Sequence, residues 1–265
     1  MLSQQEIEKR LGFAREVAED AGKIALRYFR QPLDVENKLA GEQFDPVTRA
    51  DREVEAEIRQ KLGAAYPDDS IIGEEGGTSR GSNDIAWIID PIDGTRAFIS
   101  GVPAWGTLLG LMEGERCVGG LMHQPYIGET FIAGPAGAFV YHQGQQTVLR
   151  SRRNATLCDA ILYCTHPKHF ETETDLAGFY RVAQASRLYR FGGDCYSYCL
   201  LAQGQIDLVI EGGLQPYDII PLIPLIETAG GVVTDRNGKP ATSGGLIVAA
   251  ANAKLHAEAL ALLNG

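Results

Sequence analysis

Two periodicities divide this chain and restrict its fold more than its composition does. Between residues 104 and 150, apolar segments run from Thr107 to Met112, Cys117 to Gln124, Glu129 to Ala133 and Ala138 to His142. Glycine-bearing breaks separate them at intervals of about 8 to 12 residues, the pattern of an antiparallel meander. From residue 151 onward, strands alternate with helices. Strands are expected at Ile161 to Thr165, Arg187 to Phe191, Asp207 to Glu211, Gly231 to Thr234 and Gly245 to Ala250. Helices are expected near 172–186, 195–203 and 217–229, with a last one from about Ala253. Such alternation calls for an α/β layer packed against the meander. No low-complexity linker or internal repeat separates the parts, so residues 3–263 are expected to form one domain, with subregions 1–150 and 151–265 meeting at a site between them.

The chain before the meander is richer in punctuation. Ile7, Leu11, Ala14, Val17, Ala18, Ala21, Ile24, Ala25 and Tyr28 recur at three- and four-residue spacing, predicting an amphipathic helix near 4–30 that Pro32 stops. Asp45-Pro46-Val47-Thr48 leads into a second helix with Thr48 or Asp51 near its start, where the Asp51 carboxylate complements the helix dipole. Ile71-Ile72 reads as a short strand and Gly73-Glu74-Glu75-Gly76-Gly77 as an acidic loop. The apolar run from Ile85 to Ile89 reads as a buried strand that ends abruptly at Asp90-Pro91, with Gly94-Thr95 turning into a new segment.

Charge and cysteine usage exclude some functions. A net charge of −10 argues against a nucleic-acid backbone or an anionic membrane as the main partner. No run approaches the 18 or more apolar residues of a membrane span. The polar start Ser3-Gln4-Gln5-Glu6 lacks targeting character, and the five cysteines include no CxxC pair. A reduced, cytoplasmic setting is the expectation.

Asp90 and Asp93 offer only oxygen donors, and Pro91 fixes the backbone between them so that both side chains and the Ile92 carbonyl converge. Hard cations such as Mg²⁺ favour an all-oxygen cluster of this kind. Taken alone, Asp-x-x-Asp reads instead as a surface turn capping the next helix. The remaining motifs reverse that reading.

Asp90-Pro91-Ile92-Asp93-Gly94-Thr95 resembles the signature of the inositol monophosphatase superfamily of metal-dependent phosphatases. Gly73-Glu74-Glu75, the segment from Asp45 to Asp51, and Pro216-Tyr217-Asp218 with the run to Gly230-Gly231 match in the same order, so the resemblance covers nearly the whole chain. It implies an α/β layered fold, an αβαβα sandwich with an antiparallel sheet in the N-terminal half and a mixed α/β layer in the C-terminal half. It also implies a homodimer and roughly two or three Mg²⁺ ions per site. Glu74, Asp90, the Ile92 carbonyl, Asp93 and Asp218 would ligate the metals. Asp51 would hydrogen-bond the Thr95 hydroxyl, and with Glu74 they would orient the attacking water. Amides at Gly94 and Thr95, with Asp93, would seat the phosphate. Lys38 matches only loosely a lysine that the family places near a metal. Arg96-Ala97 departs from the Thr-Asn of many inositol enzymes, a departure that bears on substrate choice.

The segment from Arg190 through Asp194 to Tyr198, and Glu211 through Asp218, resemble the histidinol-phosphate phosphatase branch of this superfamily, in histidine biosynthesis. The physical logic agrees: histidinol phosphate carries an ammonium and an imidazole, and Asp194 and Glu211 offer carboxylates where an inositol ring would need hydroxyl partners. Arg190 and Asp218 complete the expected substrate contacts. Asp194 also suits a helix cap. His166 and His169 form an HxxH that reads as a polar loop, and Cys195 and Cys199 read as core. Alternatives are an inositol-1-phosphate phosphatase, a nucleotide or sugar bisphosphatase, and a catalytically silent binding protein. The expected partner is a small phosphate monoester, not nucleic acid or membrane.

Overall fold

The computed structural model describes residues 1–32, 35–37 and 46–265. Lys38 and Asp45 lie outside the described residues. Helix α1 (Gln4–Tyr28) starts where the Ser3 hydroxyl accepts the Glu6 N–H, and it buries Leu11, Ala14, Val17, Ala18 and Ala21 along one stripe. Strands β1 (Val35–Asn37) and β2 (Pro46–Thr48) pair antiparallel, and Thr48 then caps α2 (Arg49–Ala65).

Next come β3 (Ser70–Gly73), β4 (Gly77–Ser79), β5 (Ile85–Asp93) and the short helix α3 (Thr95–Ile99). The meander follows as β6 (Gly106–Glu113), β7 (Arg116–Gln124), β8 (Glu129–Gly134), β9 (Gly137–His142) and β10 (Gln145–Val148). These form one eight-stranded sheet in the order β10-β9-β8-β7-β6-β5-β3-β4. It is mixed, where an antiparallel sheet was expected, because β4 takes the outer edge of β3 and leaves the inner edge to β5, which runs parallel to it. Strand β10 extends the meander beyond the expected segments.

The C-terminal half comprises β11 (Ile161–Cys164), α4 (Glu173–Ala185), β12 (Leu188–Phe191), α5 (Asp194–Ala202) and β13 (Leu208–Leu214). After them come α6 (Pro216–Ile219), α7 (Ile223–Thr228), β14 (Val232–Asp235), β15 (Gly245–Ala250) and α8 (Ala253–Asn264). The sheet order is β12-β11-β13-β15-β14, with β12, β11 and β13 parallel and the last two strands joined antiparallel. The single helix expected over 217–229 is broken into α6, a 3₁₀ turn at Ile220–Leu222, and α7. Pro216, Pro221 and Pro224 explain the break, since each lacks an N–H and favours the start of a new turn. A Cβ at Gly120 would run into the Pro221 carbonyl, so glycine in β7 lets this broken segment lie directly on the sheet.

Five layers result. Helices α1 and α2 cover one face of the eight-stranded sheet, with Leu11, Val17, Val54 and Ile58 packed against Trp87, Leu109 and Leu121. In the middle, Leu108, Met122 and Phe131 meet Tyr198, Leu222 and Ile226, which in turn meet Val209 and Ile247 of the second sheet. Helices α4 and α8 close the far side through Phe179, Val182, Leu255 and Ala259 against Leu162, Leu208 and Val248. Each fully buried large aliphatic or aromatic side chain contributes about 1.5–3 kcal/mol. The middle layer carries the segments that reach the site. Among the described residues, no helix is long and apolar enough to cross a membrane.

Candidate active site

Strand β5 does not stop at Asp90. It continues through Asp93 with a register shift against β6 between those two residues. Pro91 cannot donate to the ladder, its carbonyl accepts the Thr107 hydroxyl at 2.8 Å, and the Ile92 N–H turns back to Asp90 Oδ1 at 3.1 Å. A bulge of this kind re-aims side chains. Here it sends Asp90 and Asp93 toward Asp218, so that one oxygen from each lies within 4.8 Å of the others. Asp218 sits at the start of α6, where its Oδ2 accepts the Gln215 N–H at 2.7 Å. Glu74 follows β3, with its N–H on the Ile89 carbonyl at 3.2 Å.

Carboxylates gathered this closely oppose one another's charge. Burial pushes the Asp90 carboxyl well above its ordinary range, and Glu74, Asp93 and Asp218 push further. Asp93 rises for the same reasons, burial first and then Asp218 and Asp194, against the Cys195 N–H that donates to its Oδ2 at 2.8 Å. Asp218 is pushed up to about 7, chiefly by burial. An all-oxygen set of mutually repelling carboxylates fits a hard divalent cation, whose charge relieves that repulsion. The Ile92 residue also lines the cavity, and its carbonyl accepts the Thr95 hydroxyl at 3.1 Å.

Gly94 adopts φ 82°, a left-handed turn that opens α3 with Thr95 as its first residue. The expected hydrogen bond between Asp51 and Thr95 is not the one formed. Asp51 Oδ2 accepts the Thr48 N–H at 2.8 Å and the Thr48 hydroxyl at 2.6 Å, closing the capping box of α2. Its carboxyl rises to about 6 through burial, opposed by the Thr48 bonds and assisted by the charge of Glu74. Glu74, Asp93, Gly94 and Thr95 line the cavity, whereas Asp51 stands behind them.

The rest of the cavity wall is built at strand ends. Asp194 opens α5 at φ 43°, an uncommon conformation for a residue with a Cβ, and packs over Gly94, where a Cβ would come within 3.0 Å of the Asp194 Cβ. Glu211 is buried in β13 beside a further register shift against β15. Its Oε1 accepts the Thr165 N–H at 2.8 Å and the Thr165 hydroxyl, and its Oε2 accepts the Tyr198 hydroxyl at 3.1 Å. Thr165 Oγ1 in turn accepts the Asp194 N–H at 3.1 Å. Burial lifts Glu211 to about 8 and Asp194 to about 6, the latter held back by Arg96.

A cavity of about 780 Å³ lies between these walls, and Glu74, Asp90, Ile92, Asp93, Gly94, Thr95, Asp194, Glu211 and Asp218 all line it. Arg190 does not. It lies on the exposed edge strand β12, parallel to β11, and is not among the residues that line the cavity although Asp194 four positions on is. The HxxH, read as a polar loop, is a turn that also forms part of the wall: His166, Lys168 and His169 line it, and His169 Nε2 meets the Arg96 guanidinium. Burial, Arg96 and His166 lower His169 to about 4, so its ring is neutral near pH 7. Gly212 is the sequence signal that this turn would approach, because a Cβ there would stand 2.7 Å from the His169 carbonyl.

Comparison with known proteins gives a consistent result. Residues 6–264 match the inositol monophosphatase family. The chain is 36% identical over 270 residues to the chloroplastic bifunctional phosphatase IMPL2 of Arabidopsis thaliana, covering 98% of this chain and 76% of that one. It is 35% identical over 245 residues to a histidinol-phosphatase of Chlorobaculum parvum, covering 91% and 92%. The structure superposes on an inositol monophosphatase from Zymomonas mobilis with a TM-score of 0.85 at 36% identity, covering 97% and 98%. With residues 6–264 matched to that family and relatives of this identity, the chain belongs to the inositol monophosphatase family and is a phosphoric monoester hydrolase.

Proposed function

We propose that this phosphatase hydrolyses L-histidinol phosphate to L-histidinol and phosphate in a Mg²⁺-dependent reaction. The observation that carries the reading is that two further carboxylates, Asp194 and Glu211, line the same cavity as the Asp90, Asp93 and Asp218 cluster. A phosphate group at the floor then leaves the ammonium of the substrate facing acidic groups on the wall. The similarity to histidinol-phosphatases supports the same choice.

Glu74, Asp90, Asp93 and Asp218, with the Ile92 carbonyl, would hold roughly two or three Mg²⁺ ions, which supply positive charge and Lewis acidity toward the phosphoryl oxygens. The chain's own groups do the rest. The Gly94 and Thr95 amides at the start of α3 hold phosphate oxygens, aided by Asp93. Thr95 and Glu74 orient the attacking water in line with the ester bond, and Asp51 adds its charge behind Glu74. Asp194 and Glu211 pair with the ammonium, and that pairing would draw both carboxyls back toward their ionised forms. Asp218 contributes to the floor and to the substrate edge that faces it.

Residues 3–263 act in this reading as one phosphatase domain. A second copy of the chain would complete a homodimer, for which the exposed Leu188, Tyr189 and Phe191 of β12 offer apolar surface. The five unpaired cysteines support a reducing compartment such as the cytoplasm.

A second reading, hydrolysis of inositol 1-phosphate, is favoured by the equal identity to the Zymomonas mobilis inositol monophosphatase. Phosphate release by the purified protein, with Mg²⁺ and with EDTA, separates the two. We expect Mg²⁺-dependent release with L-histidinol phosphate preferred over inositol 1-phosphate at equal concentration. Preference for inositol 1-phosphate would discard the assignment of Asp194 and Glu211 to the ammonium.

A further inference from the structure

Helix α2 carries a second buried acidic side chain one turn beyond Asp51. Glu55 is 2% exposed and does not line the cavity. A carboxylate buried this deeply is costly unless its oxygens are matched. Glu55 Oε2 accepts the Glu75 N–H at 2.8 Å, and Oε1 accepts the Gly76 N–H at 2.8 Å and the Arg59 Nε–H at 2.6 Å. Arg59 reaches past it to donate to the Gly77 carbonyl and, at 3.3 Å, to the Ser79 hydroxyl. The ion pair therefore grips the turn immediately after Glu74 from both its N–H and its C=O side.

The turn is shaped to this grip. A Cβ on Gly76 would stand 2.7 Å from Arg59 Nε and 2.8 Å from Glu55 Oε1, and a Cβ on Gly73 would collide with the Glu55 carboxylate. Gly77 turns away at φ 64°. Glu74 itself is pinned on its other side by the bond from its N–H to the Ile89 carbonyl, the residue before Asp90. Its backbone is thus fixed between β5 and α2, and α2 is also the mount of Asp51, which senses the Glu74 charge.

We propose that Glu55, braced by Arg59, is a positioning residue that sets Glu74 against Asp90 for cation binding. This rests on the reading of Glu74 as a metal ligand. Residues behind a metal site that orient its ligands typically change affinity by roughly 10- to 100-fold when altered.

The test is calorimetric titration of the substrate-free protein with Mg²⁺ alone, in the wild type, Glu74→Ala, Glu55→Gln and the double variant, with Mg²⁺ half-saturation of phosphate release measured alongside. Glu55→Gln should weaken Mg²⁺ binding about tenfold and raise half-saturation to match, with KM for the phosphate ester unchanged at saturating Mg²⁺. It should add nothing in the Glu74→Ala background, because it acts through that residue. Gly76→Ala presses on the same pair without removing the buried charge, and should shift Mg²⁺ affinity in the same direction even if Glu55→Gln does not fold. Loss of melting temperature in Glu55→Gln and Gly76→Ala with unchanged Mg²⁺ affinity would overturn the proposal. Unchanged affinity in Glu74→Ala would instead remove the metal assignment of Glu74, and the proposal with it.

Discussion

The floor and the wall of the cavity hold their carboxylates by different means. On the floor, bends in the main chain aim the carboxylates: a bulge in β5 aims Asp90 and Asp93, the start of α6 aims Asp218, and the turn of Glu74 is gripped by the Glu55 side chain of α2. On the wall, Thr165 is the hub: its hydroxyl accepts the Asp194 N–H and donates to Glu211, its own N–H donates to the same Glu211 oxygen, and Tyr198 takes the other oxygen. Backbone placement gives a fixed geometry for chemistry that tolerates little displacement. The Thr165 and Tyr198 contacts to Glu211 can be rebuilt by substitution without moving a strand, which is where a family would vary its substrate. In the proposed function, reaction and substrate choice fall to different residues of one cavity.

Several substitutions would break or sharpen this contrast. The largest effect should come from the floor: Asp90→Asn removes charge from the cluster and should lower phosphate release about a thousandfold on every substrate tested. On the wall, Asp194→Ala should reduce kcat/KM for histidinol phosphate by about 10- to 100-fold, the value of a hydrogen bond to a charged group, while Mg²⁺ affinity stays within twofold or so of wild type. A comparable loss of Mg²⁺ affinity would mean that Asp194, whose charge reaches Asp93, serves the carboxylate cluster and not the substrate.

The pH response should separate them again. Glu211 is pushed up to about 8, so in metal-free protein its folded form holds a proton that the unfolded chain releases near pH 4 or so. Folding therefore binds protons in that window, and stability should fall as pH rises from about 5 to about 8. Glu211→Gln should flatten part of the decline in melting temperature, and Mg²⁺ should flatten the part due to Asp218, which is raised to about 7. A melting temperature that climbs steadily over this range would contradict the assignment. The smallest effect belongs to the mount of Asp51: Thr48→Ala removes the cap of α2 and should cost about 1 kcal/mol, seen as a fall of about 2–4 °C in Tm.

The floor was more legible in the sequence than the wall for a physical reason. Asp90-Pro91-Ile92-Asp93-Gly94-Thr95 is continuous, so its converging groups are neighbours in the chain, and the meander and α1 announce themselves by period. The bulge through Pro91 was not legible, because a run of apolar residues followed by Asp-Pro reads as a strand end whether or not pairing resumes at Asp93. Pro216, Pro221 and Pro224 did signal the division into α6 and α7, but the apolar pattern running through them reads as one helix. The wall draws on β11, α5, β13 and the turn at 166–169, which only the parallel order of β11 and β13 brings together. Hence His166 and His169 looked like a loop, while Arg190, adjacent in sequence to wall residues, lies on an edge strand outside it.

The most direct measurement is the ratio of kcat/KM for L-histidinol phosphate to that for inositol 1-phosphate, determined in the wild type, in Asp90→Asn and in Asp194→Ala. A floor that performs the reaction and a wall that selects the substrate predict a high ratio in the wild type, the same ratio at greatly reduced rate in Asp90→Asn, and a collapsed ratio in Asp194→Ala with inositol 1-phosphate turnover kept. A ratio that shifts with Asp90→Asn, or holds in Asp194→Ala, would contradict that division.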